Sequence, residues 1–186
     1  QTFVTLSDLL SVGAPSHPAL IVPDGGPVVT SSSLHSQVER LAARLQELGL
    51  GRGDRVAMAL PNGIEVITMF LAVGAAAATA APLNSAYTTE EFRFYLQDIE
   101  AKVLLVPPGG AEQARAAAPA GALLIETTLS PEGQVDLVPL KRSPFTMKQA
   151  TPSSEDVTLF LHTSGTTSRP KGVPLSHGNL LTSAAN

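Results

Sequence analysis

The chain has 186 residues, 44% of them hydrophobic, with a formal net charge of −4 and a pI near 5.5. A chain of this length buries roughly 70% of its unfolded surface and needs no covalent staple. It has no cysteine, which excludes disulfides, thiolate zinc sites and cysteine nucleophiles; its basic residues are scattered and it has no tryptophan, which argues against a nucleic-acid groove of cations and stacking rings.

Residues 5–12 read as a short helix with Thr5 as its cap and Leu6, Leu9 and Leu10 turned inward. Ala19 to Val22 and Val28 to Thr30 are extended segments on either side of Pro23-Asp24-Gly25-Gly26-Pro27, which is turn chemistry, so a hairpin is expected. Leu34, Val38, Leu41, Leu45 and Leu48 recur at spacings of four, three, four and three. That stripe predicts a core-facing helix from Leu34 to Leu48, capped by Ser33 and ended at Gly49.

A strand from Arg55 to Leu60 follows, then a helix from Ile64 to Ala77 and an apolar strand from Ala78 to Leu83. The apolar run from Met69 to Ala81 is too short to span a bilayer, so no membrane span is expected. Thr88 and Glu91 form a capping box at the start of a helix carrying Phe92, Leu96 and Ile99 on one face. Lys102 to Val106, a weaker helix from Ala111 to Ala118, and Ala122 to Glu126 continue the alternation. Strands alternating with helices over short connections predict an α/β fold, a mostly parallel sheet flanked by helices. Residues 1–126 are expected to form an N-terminal α/β subdomain. Residues 127–156 are a loop-rich connection holding one strand, Val135 to Leu140. Residues 157–186 begin a further unit.

That unit opens on an apolar run, Val157 to Leu161, which leads into His162-Thr163-Ser164-Gly165-Thr166-Thr167-Ser168-Arg169-Pro170-Lys171-Gly172-Val173. Short hydroxyls, backbone N–H groups around a glycine and one ammonium together suit a polyphosphate, whose oxygens accept hydrogen bonds and carry negative charge. Thr163, Ser164, Thr166, Thr167 and Ser168 supply hydroxyls, Gly165 permits close backbone approach, Pro170 stiffens the exit and Lys171 brings a compact cation. The order is not that of the P-loop nucleotidases, since proline precedes the lysine and glycine follows it.

His17, His35, His162 and His177 share no metal-ligand spacing. His35 is expected to be exposed, and His162 stands either against a nucleotide or as support for the loop. Asn84 and Tyr87 fall in a turn after an apolar strand and read as loop-ordering residues, and Glu90-Glu91 as helix-start electrostatics.

The segment Thr163 to Val173 resembles the phosphate-binding signature of the adenylate-forming enzymes: acyl-CoA synthetases, luciferases and peptide-synthetase adenylation domains. Ser168 stands where most members carry glycine. The longer string Phe160 to Leu175, together with Ala78 to Phe92 and Phe94-Tyr95-Leu96, resembles the oxalate–CoA ligase branch of plants and fungi. The likeness spans most of residues 5–186.

It implies the N-terminal part of that family's large domain and a two-step reaction. A carboxylate attacks the α-phosphate of Mg·ATP to give an acyl-adenylate and pyrophosphate, and coenzyme A then displaces AMP. It also implies that Thr163, Ser164, Gly165, Thr166, Thr167, Ser168 and Lys171 grip the β- and γ-phosphates, that none acts as a nucleophile, and that Mg2+ comes with the nucleotide. Such enzymes run to roughly 500 residues, about three domain lengths. The adenine, ribose, magnesium and acyl sites and the mobile C-terminal domain are therefore expected downstream, and these residues alone are expected to lack ligase activity and to bind ATP weakly. The expected substrate is oxalate or another small carboxylate. The alternatives are a medium- or long-chain fatty acid, or a non-catalytic interaction or folding module. A cytosolic or peroxisomal setting is expected.

Overall fold

A computed structural model describes residues 3–163 and 169–185. The chain opens with a 3-10 helix, Leu6–Ser11. The Asp8 carboxylate accepts the backbone N–H groups of Val4 and Thr5, both at 2.8 Å, and this fixes its start. Leu10 packs on the core but Leu9 is exposed, contrary to the inward stripe expected. The reason is that a single short turn offers one narrow inward face, and Leu9 and Leu10 point about a third of a turn apart. Strands β1 (Pro18–Ile21) and β2 (Val28–Thr30) form the expected antiparallel hairpin, turning through Asp24 and Gly25, both at positive φ.

Helix α1 (Ser31–Glu47) buries Leu34, Val38, Leu41 and Leu45, as its periodicity demands. It starts earlier than the stripe. Its cap is Thr30, whose Oγ1 accepts the Ser33 N–H, so Ser33 is the capped residue and not the cap. Gly49 ends the helix at φ +95°, and a Cβ there would also stand 2.8 Å from the Thr146 carbonyl oxygen.

Then come β3 (Arg55–Met58), α2 (Ile64–Ala75), β4 (Thr79–Pro82), α3 (Thr89–Asp98), β5 (Val103–Val106), α4 (Glu112–Ala117), β6 (Leu123–Leu129), β7 (Val135–Pro139), β8 (Val157–Thr163), β9 (Lys171–Ser176) and α5 (His177–Ala184). The capping box at α3 is complete: Thr88 Oγ1 accepts the Glu91 N–H and the Glu91 carboxylate accepts the Thr88 N–H at 2.8 Å.

The main sheet has the order β7-β6-β5-β3-β4-β8-β9. β6, β5, β3, β4 and β8 run parallel, while β7 and β9 are antiparallel additions at the two edges. This is the mostly parallel α/β sheet that the alternation predicts. Successive strand residues point to opposite faces. Val56, Met58, Val103 and Leu105 therefore meet α1 and α2 in one core. Ala57, Leu104 and Val106 meet Phe92 and Leu96 of α3, Ile99 just past its end, and Ala114 of α4 in the other. β6 runs past Glu126 and β7 returns along it, tied to α1 by Gln37. The buried Gln37 amide donates to the Gly133 carbonyl at 3.2 Å and accepts the Val135 N–H at 2.8 Å. Among the described residues no helix is long and apolar enough to cross a membrane.

Candidate functional site

β3 leads through residues 59–63 to α2 on one face of the sheet, and β4 leads through residues 83–88 to α3 on the other. Adjacent strands whose exits diverge in this way leave a crevice at their carboxyl ends, the usual ligand position in open parallel sheets. β8 lies beside β4 with the same direction, pairing Ala80 with Leu159, so its end, Thr163, reaches the same edge. On the α2 side, Met58, Phe70, Pro82, Leu159 and Leu161 line an apolar groove of about 250 Å³. Larger clefts of about 490 and 500 Å³ lie elsewhere, one between the N-terminal turn and α1, the other between α1 and residues 139–145.

β9 returns antiparallel along β8, with His162 opposite Gly172 and Thr163 opposite Lys171. The candidate phosphate segment is thus flanked by the two partners of the last strand pair. Thr163 Oγ1 donates to the Lys171 carbonyl at 3.4 Å, and both residues are exposed. Among the described residues Lys171 has no carboxylate within ion-pair reach. Ser164, Gly165, Thr166, Thr167 and Ser168 lie outside the described residues.

β9 itself escaped the sequence reading, because Gly172 and Pro174 disguise the alternation of Val173 and Leu175. Two features accommodate them. β9 is an edge strand, where proline's missing N–H is tolerated. Gly172 lies under the ring of Phe160, at 2.9 Å from Cε1 to the position a Cβ would take and closer still at Cζ.

The structure gives His162 the supporting role. Its side chain is 5% exposed and its Nε2 lies 2.8 Å from Asp98 Oδ2 at the end of α3. The imidazole meets Tyr95 and Phe160 edge-on, with ring centroids 4.6 and 5.2 Å apart. Tyr95 in turn stacks on Tyr87 at 4.7 Å. Burial, reinforced by Tyr95, pushes the Tyr87 phenol up to about 12, so it stays neutral and serves packing. Asn84 Oδ1 accepts the Ala86 N–H at 2.9 Å, the loop-ordering part expected of it. His35 is exposed enough to face Glu39 across one helical turn. His177, which carried no signal in the sequence, is 1% exposed. Among the described residues no three histidines or carboxylates converge on a point that would hold a metal.

A family model for AMP-binding enzymes matches residues 11–186, and the chain belongs to that family. It is 45% identical to an oxalate–CoA ligase of Arabidopsis thaliana over 98% of its own length and 37% of that protein's. It is 47% identical to the Humulus lupulus protein named "Probable CoA ligase CCL9", over 98% of this chain and 36% of that one. Among solved structures, ATP-bound MatB from Rhodopseudomonas palustris superposes with a TM-score of 0.76 at 30% identity, over 97% of this chain and 36% of that one. The chain thus spans little more than a third of the length of these relatives.

Proposed function

We propose that this chain is the N-terminal, phosphate-gripping part of an ATP-dependent acid–CoA ligase, and that the acid is oxalate. The observation that carries the reading is the hairpin end. Thr163 and Lys171 stand opposite each other at the carboxyl edge of the parallel sheet, exposed, on either side of the hydroxyl-rich residues 164–168. The hydroxyls of Thr163, Ser164, Thr166, Thr167 and Ser168, the backbone at Gly165 and the Lys171 ammonium are assigned to the β- and γ-phosphates of ATP.

In the first step a substrate carboxylate oxygen bonds to the α-phosphorus while the bond to pyrophosphate breaks. In the second, the coenzyme A thiol attacks the acyl carbon and AMP leaves. The part played by this chain is to hold the triphosphate in line and to follow the charge that gathers on departing pyrophosphate. Magnesium, in this reading, arrives with the nucleotide and shields its phosphate charge.

Oxalate is supported by the 45% identity to the Arabidopsis enzyme and by 35% identity to an oxalate–CoA ligase of Saccharomyces cerevisiae. A long-chain fatty acid is the second reading, supported by 30% identity to the ligase FadD13 of Mycobacterium tuberculosis. The carboxylate, adenosine and coenzyme A are assigned to the portion of the enzyme beyond these residues, and a cytosolic or peroxisomal setting belongs to the same proposal. The test is pyrophosphate release by the full-length protein with Mg·ATP and a panel of carboxylic acids, oxalate and palmitate among them. Lys171→Ala is expected to lower the oxalate-dependent rate by roughly 10²- to 10³-fold with an unchanged circular dichroism spectrum. An unchanged rate removes the assigned role, and release with palmitate alone selects the second reading.

A further inference from the structure

We infer that His177 is a proton-controlled latch between the N-terminal turn and the base of the β8–β9 hairpin. It is the first residue of α5, directly after β9, and its ring is buried. Nδ1 accepts the backbone N–H of Leu6 at 3.2 Å, a contact across 171 positions of sequence. The His177 N–H donates to the Asp156 carbonyl ahead of β8 at 3.2 Å. Beneath the ring lies Gly74 of α2. A Cβ there would come within 3.1 Å of the imidazole Cε1 and closer to Thr158 Oγ1, so that glycine is the space the ring occupies. One residue therefore joins the 3-10 helix and α2 through its ring and the entry to β8 through its backbone, at the start of α5.

The contact with Leu6 sets the proton inventory. An accepting Nδ1 carries no proton, so the neutral ring holds its single proton on Nε2. Nε2 is buried beside the Gly74 backbone without a partner in hydrogen-bond geometry. A second proton has only Nδ1 to go to. There it meets the Leu6 N–H, donor against donor, and the latch opens.

The charges facing the ring do not prevent this. Asp8 approaches from the 3-10 helix and Asp156 from the turn ahead of β8, and both favour an imidazolium. Asp8, however, is engaged by the Val4 and Thr5 amides, and Asp156 by Arg52 at 2.8 Å and the Ser153 amide at 2.8 Å. α2 presents only backbone at Gly74, since its one acid, Glu65, lies in its first turn. The only cation on β9, Lys171, lies at the opposite end of the strand, and α5 carries no other charged side chain. Burial outweighs the Gly74 backbone and the two carboxylates and holds the imidazole below its ordinary range. The unfolded chain therefore binds the proton more readily than the folded one. The latch is fully present above about pH 6.5 and weakens as pH falls through the lower folded value.

The test is amide hydrogen exchange in the full-length protein at about pH 7.5 and about pH 5, corrected for intrinsic rates, with α1 amides as the internal reference. Protection of residues 3–11 is expected to fall roughly threefold to tenfold at the lower pH, the scale of one net hydrogen bond. In His177→Asn, whose amide oxygen can accept from Leu6 but does not titrate, protection is expected to hold. No loss in the wild type, or equal loss in both proteins, overturns the latch. If His177→Asn fails to fold, the wild-type imidazole ¹⁵N shifts decide. Nδ1 protonation must share its midpoint with the loss of Leu6 protection, and separate midpoints, or a proton on Nδ1 at neutral pH, overturn it.

Discussion

Gly172→Ala isolates the packing that shapes the candidate site. Gly172 lies on β9 opposite His162, and its φ is not in the left-handed region, so alanine fits the backbone. Removing a strand glycine alone is worth about 0.5–1 kcal/mol in favour of alanine. Against this stands the Phe160 ring, which lies where the new methyl group would go. If the ring stays, overpacking costs about 1–3 kcal/mol. If it swings away, it loses its edge-on contact with His162, worth about 0.5–1.5 kcal/mol, and part of its packing on the α3 side of the sheet. At mid-range values the fixed-ring path nets a loss of about 1 kcal/mol, and the swung-ring path nets a loss set by the packing it gives up. For a chain of this size a loss of about 1 kcal/mol lowers the melting temperature by roughly 2–4 °C. The assay is thermal or urea denaturation of Gly172→Ala alone and in a Phe160→Leu background. The smaller side chain vacates the space, so there the alanine is expected to be neutral or stabilising. A stabilising Gly172→Ala, or an equal loss in both backgrounds, refutes the ring as the reason for the glycine.

Gln37→Leu strands the Val135 N–H and the Gly133 carbonyl beside α1 and is expected to cost about 1–3 kcal/mol in urea denaturation, with faster exchange confined to β7. Burial alone would raise the Asp54 pKa, but Lys148 at 2.8 Å, Lys102 at 3.1 Å and the Gly51 amide hold it below its ordinary value. Its contribution is therefore present above about pH 3.8 and lost as pH falls through the folded value. Asp54→Asn is expected to be less stable by about 1–2 kcal/mol near neutrality, with the gap closing below that window; a gap that persists in acid refutes the ion pairs as its source.

Features whose causes lie within a few residues were legible in the sequence. The α1 stripe and the Thr88–Glu91 box need only local spacing, and both stand as read. The cap of α1 was misplaced because Thr30 and Ser33 are chemically interchangeable there; the β1–β2 hairpin decides by holding Thr30 extended, at φ −75° and ψ 161°. β9 was missed because Gly172 and Pro174 are poor strand residues in isolation. They are tolerated because β8 offers an edge and Phe160 covers the glycine. His177 sits in a polar string, Ser176-His177-Gly178-Asn179, with nothing local to signal burial. Its neighbours, Leu6 and Gly74, are more than a hundred residues away in sequence. For the candidate site, residue order pointed to Thr163 and Lys171, which the strand pairing sets opposite each other, whereas the Asp98–His162 support became visible only once α3 and β8 were packed.

If residues 163–171 hold phosphate as proposed, the hairpin also explains why their lysine comes in a different order from that of the P-loop nucleotidases. In those proteins the segment opens a helix, and the helix N-terminus supplies positive potential at the phosphates. Here the helix that follows, α5, begins after Ser176, which pairs with Val157 at the far end of the ladder from Thr163 and Lys171. Five residue steps at about 3.3 Å each place its N-terminus roughly 17 Å from Lys171, well beyond the single turn over which a helix terminus acts effectively. The positive potential at the hairpin's open end must then come from side chains and local backbone N–H groups. Lys171, fixed by the β8–β9 ladder at the carboxyl edge, meets that requirement. The same geometry makes the site sensitive to whatever holds β8 in place. Its register with β4 rests on Ala80 and Leu159, and the other face of β8 leans on Tyr95 and Asp98 through His162. The end of the β8–β9 ladder at Thr163 and Lys171 therefore depends on α3 for stiffness, a dependence that a helix-borne loop does not share.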